Sequence, residues 1–173
     1  ITKTLVETLS DGSVLSFGLE SADPSVHEAN WLNCDPEQLK TAVRLVNEYG
    51  KERGERGLPK LLPGLNFIAG LNGETNTSYT HNRELLQQLK EEELWLRRIN
   101  IRQVEGKGFQ EVEEEPFKQF KEWVRDEIDA PLLKEMFPAG QVLKRVRWES
   151  HDNRIRIPSQ LSEEHRSPKI HGK

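Results

Sequence analysis

The chain has a single cysteine, Cys34, among its 173 residues. One thiol cannot form an intrachain disulfide, and it cannot supply the several thiolates that structural zinc sites and iron–sulfur clusters need. The five histidines show no spacing typical of metal ligands. These features exclude a disulfide-stabilised fold and a zinc or iron–sulfur site built from several thiolates of this chain. They also favour a cytoplasmic location, where thiols stay reduced.

Long apolar runs are absent as well. No stretch approaches the length of a membrane span, and no signal peptide is recognisable. Hydrophobic residues make up 34% of the chain and charged residues 31%, which is polar for a self-sufficient α/β domain. The net charge of −4 creates no overall field that attracts nucleic acid or membrane. We therefore expect no membrane partner and a strongly charged helical surface. Because the first residue is Ile1 and not methionine, we also expect a piece of a longer protein.

Three short segments alternate apolar and polar residues, as strands with one buried face do. They cover residues 14–19, 64–70 and 98–104. A helical pattern follows each strand, and Asp23-Pro24 and Asp35-Pro36 are typical of helix starts. The order strand, helix, strand, helix predicts a parallel sheet.

The second face of each predicted strand is polar, whereas buried parallel strands are usually apolar on both faces. We expect these polar faces to share a cavity, as in a (β/α) barrel whose lumen holds a ligand. The alternative is an ordinary doubly wound sheet with one solvated face. The residues on the polar faces are Ser16, Gly18, Glu20, Asn66, Ile68, Gly70, Asn100 and Arg102.

The stretch of residues 64–75 runs from a strand through the Asn72-Gly73 turn into the start of a helix at Glu74-Thr75. Such a turn can present backbone N–H groups to an anionic or nucleotide-like ligand. It can equally be a plain connection, in which Glu74 only interacts favourably with the helix dipole. A nucleotide-binding α/β module is therefore one alternative function.

Three motifs, in this order and at this spacing, resemble the second half of a radical SAM core. They are Phe-Gly-Leu-Glu-Ser at 17–21, Phe-Ile-Ala-Gly-Leu-Asn-Gly-Glu-Thr at 67–75 and Arg-Arg-Ile-Asn-Ile-Arg-Gln-Val at 97–104. The resemblance covers about residues 1–149 and is closest to a group of uncharacterised archaeal radical SAM iron–sulfur oxidoreductases. It implies a partial, TIM-like (β/α) barrel of about three βα units over residues 1–138.

In that superfamily a loop with three cysteines holds a [4Fe–4S] cluster, which reduces S-adenosylmethionine to a 5′-deoxyadenosyl radical. The resemblance implies that Glu20 contacts the methionine amino group or the ribose, and that Ile68 and Gly70 support the adenine. Asn100 and Arg102 would face the cofactor or the substrate. Ser16, Gly18 and Asn66 would line the same pocket.

Two departures limit what the resemblance implies. The cluster-binding cysteines are missing, and Asn72 stands where relatives usually have proline. We therefore expect this chain alone to be inactive and to bind neither the cluster nor S-adenosylmethionine, while the longer parent protein would be the oxidoreductase. Half a barrel would also expose a strand edge, which predicts a homodimer.

The C-terminal part follows a different pattern. Residues 139–157 predict a basic β-hairpin that loosely resembles the start of a small barrel appended to RNA-modifying radical SAM enzymes. This hairpin predicts RNA contact by a non-catalytic module, or its charges are simply solvated. Residues 158–173 have almost no apolar side chains and predict a disordered tail. The hairpin cations are Lys144, Arg145, Arg147, Arg154 and Arg156.

Overall fold

A computed structural model describes residues 1–148 and 155–156, and the side chains of residues 1–146. The described chain is an α/β protein, as the alternating sequence pattern predicts. Its elements are α1 (Thr2–Thr8), β1 (Ser13–Glu20), α2 (Pro24–Asn30), α3 (Pro36–Gly50), β2 (Leu61–Ala69), α4 (Asn76–Glu91), β3 (Arg98–Gln103), α5 (Glu114–Trp123), a π-helical segment (Val124–Asp129), α6 (Ala130–Met136), β4 (Arg147–Trp148) and β5 (Ile155–Arg156).

The strands β1, β2 and β3 form one parallel sheet in that order, with β2 in the centre. Within the described residues the sheet is open, because β1 and β3 each pair only with β2. Gly18 lies opposite Asn66, which in turn lies opposite Asn100. The register therefore aligns the predicted polar positions in one row across the sheet.

A single apolar cluster joins one face of the sheet to the helices. Leu19, Leu65, Phe67 and Ile99 come from the strands. The helical members include Leu39 and Val43 of α3, Leu85, Leu86 and Leu89 of α4, and Phe120, Val124, Ile128, Leu132 and Met136 of the α5–α6 region. The apolar face of the three strands is thus packed against helices. Burial of this face leaves the opposite face of the sheet for the polar residues.

The helix starts follow the predicted chemistry. The Asp23 carboxylate accepts a hydrogen bond from the Ser25 backbone at the start of α2. Asp35 and Gln38 form a reciprocal capping box at the start of α3, at 2.8 and 3.2 Å. Both caps precede a proline in the first helical turn, where the missing N–H costs nothing.

Replacing Asp35 with alanine should lower the free energy of unfolding by about 1 kcal/mol, because the N–H of Gln38 loses its acceptor. Asp35→Asn is the matched control, since its amide oxygen can still accept and the expected loss is only a few tenths of a kcal/mol. Urea denaturation would measure both. Equal losses for the two variants would show that the cap does not stabilise α3.

Contacts between elements accompany the ends of α3 and β4. α3 ends at Gly50, which passes so close to the Leu61 carbonyl that no Cβ would fit there. α5 and α6 form one continuous helical path, joined by the π-helical segment. β4 starts at Arg147, and before it the Lys144 backbone N–H donates to the Arg56 carbonyl at 3.0 Å.

In the C-terminal part, the two-residue strands β4 and β5 pair in antiparallel fashion, as the predicted hairpin requires. The predicted disordered tail at 158–173 lies outside the described residues. Among the described residues, none of the helices combines the length and the apolar character needed to cross a bilayer.

Candidate functional site

The helix-free face of the sheet carries a row of polar groups. The Asn100 side-chain amide donates to the Asn66 side-chain oxygen at 2.7 Å. Gly18 stands next to Asn66 in the register and is exposed. Because residue 18 has no side chain, the space on the β1 side of the Asn66–Asn100 pair is available to the Glu20 carboxylate, whose Oε1 lies where a Cβ at residue 18 would be. The amide pair can therefore present both a donor and an acceptor to a ligand.

Ser16 belongs to the same face, one register step below this row. It is exposed and pairs with Gly64 on β2. A Cβ at Gly64 would lie 3.2 Å from the Ser16 hydroxyl oxygen and 2.9 Å from a methyl of Val14. Glycine is thus required at residue 64 for β1 and β2 to approach this closely. Ser16 lies at the margin of the polar face that is nearer the amino ends of the strands.

Glu20 ends β1 in a left-handed backbone conformation, with φ of 67°. A bulge at Leu19 precedes it, because the pairing passes from Gly18–Asn66 directly to Glu20–Phe67. The side chain turns back over Gly18, and its Oε1 occupies the space that a Cβ at residue 18 would take. Gly18 is therefore what allows the carboxylate to lie on the polar face.

The Glu20 carboxylate has an unsatisfied atom. Its Oε2 is buried and has no hydrogen-bond partner, and burial raises the pKa of the Glu20 carboxyl above its usual range. A buried acceptor without a partner is costly unless a donor arrives from outside. Glu20 is thus suited to accept from an ammonium or hydroxyl group of a ligand, and it does not cap α2, whose cap is Asp23.

Ile68, Arg102 and Gly70 do not join this row as closely. Ile68 pairs with Arg102 in the register, and the exposed Arg102 forms no ion pair within the described residues. Gly70, at φ 92°, lies beneath the loop after β3, where a Cβ would be 2.9 Å from the Val104 carbonyl. Gly70 is buried, so its role is to let this loop close over the end of β2.

Glu74 is a buried hydrogen-bond acceptor, a role different from the expected interaction with the helix dipole. It is 7% exposed, and its two carboxylate oxygens bind different partners. One accepts from the Tyr79 hydroxyl at 2.8 Å and the other from the Gly70 backbone N–H at 3.2 Å. Burial, which outweighs these hydrogen bonds, raises its pKa. Glu74 therefore fixes the β2–α4 turn. In the sequence, the one indication of this buried role is Tyr79, about one helical turn later.

Replacing Glu74 with alanine should lower the free energy of unfolding by about 2 kcal/mol. The change leaves the Tyr79 hydroxyl and the Gly70 N–H buried without an acceptor. In the double variant with Tyr79→Phe, the second change should cost less than it does in the wild-type background. Thermal and urea denaturation of the four proteins would measure this coupling, and strict additivity would contradict it.

A second polar network ties β1 and α2 to α4. The Ser78 hydroxyl donates to the Asp23 carboxylate at 2.6 Å, and the Ala22 N–H donates to the Asn82 side chain at 2.7 Å. Burial acts to raise the pKa of Asp23, but the hydrogen bonds from Ser25 and Ser78 prevail and hold it below its usual range. The network holds the ends of β1 and β2 in fixed relation, which positions Glu20 beside the polar row.

The iron–sulfur cluster implied by the resemblance does not fit the residues present. Cys34 is the one cysteine of the chain, and it is half-buried between α2 and α3. Among the described residues, His, Cys, Asp and Glu side chains form no group of three that could hold a metal ion. The unpartnered Glu20 oxygen is instead an acceptor of the kind that the amino group of S-adenosylmethionine would need.

Comparison with known proteins identifies two archaeal relatives. The chain is 40% identical over 157 residues to an uncharacterized protein of Archaeoglobus fulgidus, covering 85% of this chain and 30% of that protein. It is 42% identical over 156 residues to the uncharacterized protein MJ0274 of Methanocaldococcus jannaschii, covering 84% of this chain and 29% of that protein. No family model and no solved structure matches. The chain is thus similar to under a third of the length of these archaeal proteins.

Proposed function

We propose that this chain is the C-terminal part of a radical SAM core and contributes one wall of an S-adenosylmethionine site in a longer oxidoreductase. The observation that carries the proposal is the helix-free face of the sheet, where Glu20, Asn66 and Asn100 meet. In this proposal β1, β2 and β3 are consecutive strands of a partial (β/α) barrel. The barrel lumen would lie against the polar face.

The geometry suits the roles that the resemblance implies. The Glu20 carboxylate lies at the C-terminal end of β1 with one oxygen buried and unpartnered, so it would accept from the amino group of the methionine moiety. The Asn66–Asn100 pair would bind polar groups of the adenosine through its remaining donor and acceptor positions. Ile68 would supply an apolar contact beside the purine.

The cluster would have to be held by parts of the longer protein outside this chain. When bound next to such a cluster, S-adenosylmethionine supplies radical chemistry to the substrate. The residues of this chain would bind and orient the cofactor and take no direct part in electron transfer. This chain alone is therefore expected to bind the cofactor weakly or not at all.

The test uses the longer protein that contains this chain, reconstituted with iron and sulfide without oxygen. We expect a brown iron–sulfur protein that binds S-adenosylmethionine in calorimetry. Glu20→Gln should weaken that binding about tenfold to a hundredfold, because a charge-assisted hydrogen bond is lost.

Glu28→Gln is the matched control, since Glu28 is an exposed acid on α2 and its substitution should leave the affinity unchanged. A protein that stays colourless after reconstitution would contradict the iron–sulfur part of the proposal. Wild-type affinity in the Glu20 variant would contradict the assignment of this face.

The alternative of a nucleotide site at the start of α4 is not favoured by the contacts there. Ser78 already accepts the Thr75 N–H at 3.0 Å, and the Gln110 side chain donates to the Glu74 carbonyl. The buried Glu74 carboxylate would also repel a phosphate at this helix start.

Two partners complete the proposal. RNA contact by the basic hairpin is supported by its Lys and Arg content, and it predicts a gel shift that weakens as salt rises. Homodimerisation through the exposed edge of the sheet is supported by the open sheet.

A further inference from the structure

Positive charge is concentrated where the loops before β2 and β3 meet, at the end of the sheet opposite Glu20. The segments are residues 51–60 before β2, residues 93–98 at the start of β3, and residues 135–145 at the end of α6 and beyond it. They contain eight Lys and Arg residues and four Glu residues, in a chain whose net charge is −4. One end of an acidic protein is therefore basic.

Trp95 holds two of these cations together. The Lys51 ammonium lies 4.5 Å from the centroid of the Trp95 ring, and the Arg53 guanidinium lies 5.9 Å from it. Lys51 also donates to the Glu93 backbone carbonyl at 2.9 Å. A ring and a carbonyl fix the position of a cation without neutralising its charge.

Arg53 connects this pair to the start of β3. Its two terminal nitrogens donate to the carbonyls of Gly57 and Met136. Phe137 follows Met136, and its ring centroid lies 5.8 Å from the Arg97 guanidinium. Arg53 and Arg97 therefore lie on either side of the end of α6.

Two further cations continue the array towards the hairpin. The Arg56 carbonyl accepts from the Lys144 backbone N–H at 3.0 Å, and the Lys144 side chain is exposed. The Nε atom of Arg56 is buried and has no hydrogen-bond partner. We define the amino-end surface by its cations, which are Lys51, Arg53, Arg56, Arg97 and Lys144.

The charges of the amino-end surface are not neutralised by the chain. Within the described residues, none of its five cations forms a salt bridge. Two carboxylates that reach this end of the sheet accept from neutral groups instead. Asp11 accepts from the Arg56 backbone N–H at 2.9 Å, and Glu135 accepts from the Trp95 indole N–H at 3.1 Å. Like charges left together destabilise a folded chain and attract a partner of opposite sign.

We propose that the amino-end surface binds the phosphate backbone of a nucleic-acid strand. The inference rests on the RNA contact proposed above for the hairpin, and it extends that contact onto the α/β part of the chain. Arg and Lys donate charge-assisted hydrogen bonds to phosphate oxygens. Because rings and carbonyls hold Lys51, Arg53 and Arg97 in place, the array is ordered before binding and suits the regularly spaced phosphates of a strand.

This mode of binding has two consequences. Contacts to phosphates position a strand without reading its bases, so affinity should depend little on sequence and strongly on salt. The surface also lies at the end of the sheet opposite Glu20, so a bound strand would leave the proposed cofactor face free.

The test measures the affinity of the full chain for short single-stranded RNA and DNA of the same sequence by fluorescence anisotropy. The logarithm of the association constant should fall with the logarithm of the salt concentration, with a slope of about −3 to −4 for about five phosphates on a single strand. Arg56→Glu and Lys144→Glu should each raise the dissociation constant about tenfold at low salt and make the slope shallower by about one.

Lys118→Glu is the matched control, because it reverses an exposed cation on α5 outside the basic segments. It should leave the affinity and the salt slope nearly unchanged. Arg154→Glu tests the hairpin separately. Circular dichroism would check that every variant is folded, and Lys144→Glu, which changes an exposed side chain, keeps the test valid if Arg56→Glu unfolds.

Three outcomes would overturn the inference. They are a chain that binds neither strand at low salt, binding that Arg154→Glu weakens while Arg56→Glu and Lys144→Glu do not, and binding to phosphatidylserine vesicles but to neither strand. If a strand binds as expected, the tighter of RNA and DNA identifies the partner. Because calorimetry measures S-adenosylmethionine binding separately, failure of either proposal leaves the other standing.

Discussion

Replacing Phe120 with alanine is expected to lower the free energy of unfolding by about 3–5 kcal/mol. Phe120 is 1% exposed and lies where α5 meets the sheet. Its ring packs edge-to-face against Phe67 of β2, with centroids 5.9 Å apart, and lies 5.4 Å from the ring of Tyr79 on α4. The substitution leaves a cavity and removes two aromatic contacts at once.

Phe117→Ala is the control for this prediction. Phe117 lies one helical turn earlier on α5 and is only half-buried, so its removal should cost well under half as much. Guanidinium denaturation of the wild type and both variants would give the comparison. Similar losses at the two positions would show that Phe120 does not join α5 to the sheet.

The sequence pattern predicts most of the fold because alternation and helix caps are local properties. Leu65 and Phe67 alternate with Asn66 and Ile68, and the structure puts the first pair against helices. The caps at Asp23 and Asp35 need only a few neighbouring residues. Where one face of a strand is buried, its period of two residues determines which side chains share a surface.

The start of β2 could not be predicted in the same way. The strand begins at Leu61 and contains Pro63, although proline is rare in central strands because it has no N–H to donate. Pro63 contributes its carbonyl instead, which accepts from the Arg97 N–H at 2.8 Å. The rule that excludes proline from central strands therefore fails here, because the neighbouring strand needs only a carbonyl acceptor from residue 63.

The sequence predicts which residues of the candidate site share a face of the sheet, but it does not predict the contacts between them. The alternation places Gly18, Asn66 and Asn100 on one face, but the hydrogen bond between the two amides depends on register. The Leu19 bulge and the left-handed Glu20 have no clear sequence signal. The part of the site that depends on contacts between distant strands thus required the structure.

The π-helical segment likewise has no clear sequence signal, and its last residue is expected to make stability strongly dependent on pH. It ends at Asp129, and burial raises the pKa of the Asp129 carboxyl to about 7. The folded state therefore holds this proton more tightly than the unfolded chain, whose ordinary value is 3.8. The resulting stabilisation is complete below about pH 4 and is lost as the pH rises through about 7.

Asp129→Asn should accordingly stabilise the monomer by about 2–4 kcal/mol at pH 9 and have little effect at pH 4, because asparagine resembles the protonated acid. Urea denaturation at both pH values, at concentrations where the chain is monomeric, would measure the difference. Asp126→Asn is the control, since Asp126 is exposed beside Arg125 and its removal should not stabilise the protein at pH 9.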